Sequence, residues 1–143
     1  MKEEEAGADT NSITLIDATN GFNELSRIAM LWTVRHQWPT GARFTFNCYW
    51  HKALLVFRRP AALFHIVTSR EGVTQGDPLL MVLYGLSLLP LSKSMRTEDP
   101  GIFQPWYADD AGMRGLAWRN AKLLQVLMGK GPYHCYSPEP EKI

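Results

Sequence analysis

Gln104-Pro105-Trp106-Tyr107-Ala108-Asp109-Asp110 sets two adjacent carboxylates directly after a short aromatic run. That run, Phe103, Trp106 and Tyr107, reads as a buried strand, and Gly112 and Gly115 close behind predict that the chain turns back as a hairpin. Two carboxylates crowded on such a turn repel each other, and one takes up a proton unless a cation sits nearby. A divalent ion supplies that cation, and hard oxygen ligands of this kind suit Mg²⁺. Read alone, an Asp-Asp pair is also ordinary turn chemistry, because short acidic side chains bond their own backbone in turns.

Working upstream, Ser69-Arg70-Glu71-Gly72-Val73-Thr74-Gln75-Gly76-Asp77-Pro78-Leu79 carries glycines around Gln75, where backbone can approach a ligand closely. Asp77 and Pro78 supply the N-cap and first position of a helix over Leu79–Leu89, apolar nearly all round and therefore buried. The start of that helix would offer free N–H groups to an anion or a base, although a capped core helix accounts for the same residues. Earlier still, Ile13-Thr14-Leu15-Ile16 predicts a buried strand that delivers Asp17 at its C-terminal end. Asn20, Gly21 and Asn23 then provide turn and cap chemistry for a helix with Leu25, Ile28, Ala29 and Trp32 on one face, ended by Pro39 and Gly41.

Two further strands are expected at Ala53–Phe57 and His65–Thr68, around a loop at Arg59–Ala62. Downstream of the Asp pair, Ala117–Met128 predicts a third helix with Ala117, Ala121, Leu124 and Met128 on one face. Gly129, Gly131 and Pro132 stop it, and Tyr133–Tyr136 reads as a last short strand. Residues 1–12 are acidic and small, without apolar periodicity, and are expected to form a disordered leader.

A chain of 143 residues, 45% hydrophobic, can bury one modest core. Its net charge of +1 says little, but the distribution is one-sided. No acidic residue occurs between Arg27 and Arg70, while Arg27, Arg35, Arg43, Lys52, Arg58, Arg59 and Arg70 are interleaved with Trp32, Trp38, Phe44, Phe46, Tyr49, Trp50, Phe57 and Phe64. Cations for phosphates and flat rings for bases are the materials of a single-strand or hybrid-duplex surface; a solvated face over core aromatics would read alike. Cys48 and Cys135 are far apart and lack metal-ligand spacing with any His, so no zinc or disulfide framework is indicated, in keeping with a reducing compartment. Leu79–Leu91 is the longest apolar segment, too short to span a bilayer and interrupted by Ser87 and Pro90, and the acidic N-terminus is unlike a secretory signal; a soluble chain is expected.

An aspartate at a strand end, a Gly-x-x-Gln-Gly loop opening a buried helix, and a Tyr-Ala-Asp-Asp hairpin thus follow one another in the chain. Asp17-Ala18-Thr19-Asn20-Gly21-Phe22-Asn23, Glu71-Gly72-Val73-Thr74-Gln75-Gly76-Asp77-Pro78-Leu79 and Gln104–Asp110 together resemble the palm of reverse transcriptases, most closely the non-LTR (LINE-type) retrotransposon polymerases. The resemblance implies an α+β fold, an antiparallel sheet backed by helices, over residues 13–143 as one partial palm domain without fingers or thumb. It implies RNA-directed DNA polymerase chemistry, nucleotidyl transfer to a primer 3′-hydroxyl clamped by two Mg²⁺ or Mn²⁺ ions, with an RNA template, a DNA primer and dNTPs as partners. Asp17 and Asp109 would hold the metals, with Asp110 as a weaker third and the Ala18 carbonyl as an added ligand. Phe22 matches a gate against the ribose 2′-hydroxyl; Gly72, Gln75 and Gly76 match a loop along nucleotide and template; Tyr107 would also contact substrate. Lys142 stands where the family carries a lysine proposed to protonate pyrophosphate. The family points to an intracellular, nuclear setting, and without fingers and thumb the isolated chain is expected to be nearly inactive. The competing expectation is an inactive retroelement remnant, at most a basic nucleic-acid-binding module; a nucleotide cyclase palm is argued against by the Gly-Val-Thr-Gln-Gly-Asp-Pro loop.

Overall fold

The computed structural model describes residues 10–58, 64–139 and 141. In chain order it contains β1 (Asn11–Ile16), α1 (Gly21–Glu24), α2 (Arg27–Gln37), α3 (Pro39–Tyr49), β2 (Ala53–Arg58), β3 (Phe64–Ser69), α4 (Leu80–Glu98), β4 (Trp106–Tyr107), β5 (Asp110–Leu116) and α5 (Ala117–Lys130), followed by a 3₁₀ turn at Gly131–His134. The fold is mixed α+β with antiparallel sheets. Two compact units divide it: residues up to Gly21 with those from Leu88 onward, and Phe22–Ser87. Lys142, the loop at 59–62 and residues 1–9 of the expected leader lie outside the described residues. No helix among the described residues is long and apolar enough to cross a membrane.

In the first unit, burial alternates along β1, which begins at Asn11, inside the stretch expected to be leader. Its neighbour is β5, antiparallel, with Asn11 opposite Leu116 and Ile16 opposite Ala111; β4 pairs with the other edge of β5. Neither expected buried strand is buried on both faces. Ile16 is enclosed while Ile13 and Leu15 face outward, and Phe103 and Tyr107 are exposed, Tyr107 at 73%. Period-two alternation explains this: one face of a three-stranded sheet is covered and the other is not.

Helix α5 packs against the sheet through Asn120, Leu123 and Leu127, not through the expected stripe; Met128 lies exposed. Asn120 is the reason. Its Nδ2 donates to the Ser12 carbonyl (3.1 Å) and hydroxyl (2.9 Å), so a polar residue occupies the buried face and rotates the apolar stripe around it. After α5 the expected strand at Tyr133–Tyr136 is instead a 3₁₀ turn closed by Cys135 in the left-handed region (φ 57°). Gly131 permits it, because a side chain there would strike the Tyr136 carbonyl oxygen. The extended pairing comes slightly later, as a bridge between Pro138 and Ala18.

In the second unit, α2 ends at Gln37, just before Pro39 as expected, and Pro39 then starts a further helix, α3, where its missing N–H is harmless. Helix α2 buries Arg27, Met30, Thr33 and Val34, whereas Ile28 (72%) and Trp32 (65%) of the expected face are exposed. β2 and β3 form a two-stranded hairpin in register from Ala53 opposite Ser69 to Arg58 opposite Phe64. Helix α4, which belongs to the second unit up to Ser87 and to the first from Leu88, extends to Glu98, past Pro90 and well beyond Leu89. Burial of Leu88, Leu91 and Met95 around the proline holds the helix together despite a cost of about 3 kcal/mol for proline in a helix interior.

Candidate active-site residues

The register of the first unit sets the carboxylates. Beyond the pair Ile16 and Ala111, Asp17 follows directly after β1 and Asp110 is the first residue of β5. They line one cavity of about 250 Å³ together with Leu15, Ile16 and Ala111. Asp109 sits one residue away, in the two-residue turn Ala108–Asp109 that joins Tyr107 to its partner Asp110. Hairpin turns this tight favour a positive φ at the first central residue, normally glycine or asparagine, because that geometry follows the twist of the strands. Ala108 adopts it, at φ 52°, so the turn carries backbone strain at the expected site.

The backbone on either side is pinned. The Tyr136 hydroxyl, fully buried, donates to the Asp109 carbonyl at 2.9 Å, and its ring meets Trp106 edge-on at 5.5 Å. Gly112 N–H donates to the Pro105 carbonyl at 2.9 Å, tying the hairpin to the segment before it. On the β1 side, Glu139 N–H donates to the Asp17 carbonyl (2.8 Å), Thr19 N–H to the Ser137 carbonyl (2.8 Å), and the Thr19 hydroxyl to the Glu139 carboxylate (2.7 Å). Tyr136 and Glu139 therefore steady both carboxylate-bearing segments. Neither was singled out by sequence reasoning, because both sit in a Gly- and Pro-rich tail without periodicity.

Among the described residues no three His, Cys, Asp or Glu side chains converge as a metal cage. Two carboxylates on one cavity still fit a hard divalent cation by donor chemistry. Mg²⁺ is commonly held by one or two carboxylates and completed by water and substrate phosphates.

The second unit holds the glycine loop. Gly72 is buried at φ 74°, with its N–H donating to the Leu25 carbonyl (2.8 Å), and Val73 N–H donates to the Phe22 carbonyl (2.8 Å). A Cβ on Gly72 would come within 2.6 Å of the Phe22 carbonyl oxygen, so both the φ and the space demand glycine. Phe22 is half-buried, its ring 4.8 Å from that of Tyr84, and backbone bonds connect it to this loop. Gln75 and Gly76 are exposed at the loop's far end. Asp77 accepts from Leu79 N–H at 2.8 Å and from the Tyr49 hydroxyl. Burial first, and then the bond to Asp77, push the Tyr49 phenol up to about 12.

Arg27 is the residue whose role the sequence conceals. It is buried, and its guanidinium donates to the Gly72 carbonyl (2.8 Å), the Ser69 carbonyl (3.1 Å) and the Ser69 hydroxyl (2.7 Å), 5.6 Å from the centre of the Tyr49 ring. It is a strut for the glycine loop, not a free phosphate contact. Its position at the head of an uninterrupted basic stretch gives no sign of that.

Asp17, Ala18, Tyr107, Asp109 and Asp110 thus belong to one unit, and Phe22, Gly72, Gln75 and Gly76 to the other. No protein-family model matches the sequence, and no curated protein does. Among solved structures, telomerase from Candida albicans in complex with a TWJ fragment of telomeric RNA matches at a TM-score of 0.75 over 97% of this chain, with 8% sequence identity. The chain shares its fold with part of telomerase. It spans 28% of that telomerase chain, and at this identity the likeness is one of fold.

Proposed function

We propose that this chain is a palm segment of the reverse-transcriptase kind, which adds deoxynucleotides to a DNA primer 3′-hydroxyl against an RNA template. The observation that carries the reading is the pair Asp17 and Asp110, brought to one cavity by paired strands beside the strained Ala108–Asp109 turn. The telomerase-like fold supports it, telomerase being a reverse-transcriptase-related enzyme. Asp17 and Asp110, with Asp109 beside them, would hold Mg²⁺ or Mn²⁺. When bound, two such ions offset charge on the reacting phosphate and lower the pKa of the attacking hydroxyl.

The chain's own residues orient and exclude. Hydrogen bonds from Tyr136 and Glu139 hold the Asp109 and Asp17 backbones, so the carboxylates need little reorganisation to meet a ligand. Phe22, fixed by the Val73 N–H and packed on Tyr84, would bar a ribose 2′-hydroxyl. The exposed Gln75 and Gly76 offer backbone and amide groups to a nucleotide or template base, and Tyr107 presents an exposed ring to the substrate.

Primer extension on an RNA template with Mn²⁺ tests the activity: the native chain should extend only slightly, and even that should vanish in Asp109→Ala and Asp17→Asn. Paramagnetic resonance of Mn²⁺ tests the site separately, with bound ion expected for the native chain and lost in Asp17→Asn and Asp110→Asn. Equal Mn²⁺ binding by native and variant chains, together with no extension by any, would overturn the reading.

A further inference from the structure

A second cavity, of about 280 Å³, lies wholly within the Phe22–Ser87 unit and away from any carboxylate pair. Its lining includes Arg27, Tyr49, Trp50, His51, Lys52 and Arg70. Glu71 is the single acid there, and its carboxylate accepts from the Arg27 backbone N–H at 3.0 Å. Three permanent cations against one carboxylate leave the wall positive. Arg27 is committed to Gly72 and Ser69, but Lys52 and Arg70 are exposed and form no ion pair among the described residues. Beside them Trp50, 54% exposed, stacks on Phe46, 43% exposed, with centroids 4.8 Å apart and planes 20° from parallel. The two rings are four residues apart at the end of α3, so the helix holds the stack ready.

We propose that this pocket binds single-stranded nucleic acid, with Lys52 and Arg70 on successive phosphates and a base stacked on the Trp50 ring. The chemistry selects this ligand. Cations alone would serve any polyanion, but a pre-stacked, half-exposed indole beside them has no partner in a bare phosphate and a good one in an unstacked base. A duplex presents its bases already stacked and hidden, so it forgoes that contact. The pocket uses none of the carboxylates, and the inference does not rest on the polymerase reading.

Fluorescence anisotropy with the full chain in EDTA tests it, using labelled oligo(dT) of about ten nucleotides, a blunt duplex of the same length, and inorganic polyphosphate. Oligo(dT) should bind best, with log affinity falling linearly in log salt. Replacing Lys52→Gln and Arg70→Gln together should weaken oligo(dT) about tenfold and lower the salt slope by about 0.7 for each cation removed. Trp50→Ala should weaken oligo(dT) about tenfold, keep the slope, and leave polyphosphate binding unchanged. Both positions in the cation variant are surface-exposed, so that variant decides the matter even where Trp50→Ala disturbs folding. Unchanged oligo(dT) affinity in the cation variant would overturn the proposal. So would duplex binding as tight as single strand, or equal loss of polyphosphate and oligo(dT) in a folded Trp50→Ala. The Lys52→Gln, Arg70→Gln variant, which leaves every carboxylate in place, should bind Mn²⁺ like the native chain, so failure of the polymerase reading and failure of this one are distinguishable.

Discussion

Arg27 shows how far a residue's chemistry can depart from its neighbourhood in the sequence. A buried guanidinium is tolerable only when its donors are met, and here two carbonyls and a hydroxyl meet them. Removing it leaves those acceptors dry and the Gly72 turn unsupported. Arg27→Ala is expected to destabilise by about 3 kcal/mol, read as a lower urea midpoint, and Arg27→Lys to recover only part, since an ammonium cannot reproduce the fork. Tyr49 gives a pH signature. Its folded phenol holds a proton up to about 12 against an ordinary 10.0, so between those values the folded state binds more protons than the unfolded. Its contribution is whole below pH 10 and is lost as pH rises toward 12. Stability of the native chain should therefore fall over that window, and Tyr49→Phe should flatten the slope when denaturant curves are compared across it.

At the scale of elements, strands were easier to read than helix faces. The runs at Ile13–Ile16, Ala53–Phe57 and His65–Thr68 are short, largely apolar and bounded by polar or turn residues, and each forms a strand within two residues of its expected limits. The faces of α2 and α5 were not legible, because Arg27 and Asn120 occupy buried positions that an apolar count assigns to solvent; only their distant partners, Gly72, Ser69 and Ser12, reveal why. The two prolines differ: α2 ends at Gln37 before Pro39 as expected, and Pro39 then opens α3, whereas Pro90, just past the expected helix end at Leu89, is carried through by burial of Leu91 and Met95. Pro90 is itself exposed, and Pro90→Ala restores a helical N–H, so a gain of about 2 kcal/mol is expected, measured as a higher urea midpoint with an unchanged m-value.

Over the whole molecule, the candidate site can be named in the sequence as a set of residues but not as geometry. The order Asp17, Gly72–Gly76, Asp109–Asp110 is written in the chain, whereas the meeting of Asp17 and Asp110 at one cavity follows from a β1–β5 register that only strand pairing defines. The Tyr136 clamp on Asp109 spans 27 residues of chain and the Thr19–Glu139 bond beside Asp17 spans 120, separations at which local pattern carries no information.

The β2–β3 hairpin has a consequence of another kind. Leu54, Val56, Phe57, Phe64, Ile66 and Val67 leave it apolar and open on both faces, and each strand has an outer edge that pairs with nothing among the described residues. Such a ribbon is a template in waiting. In a concentrated solution its edges would recruit identical ribbons from other molecules, and the first irreversible event in the life of a purified sample would be the growth of cross-β fibrils, long before either unit melts.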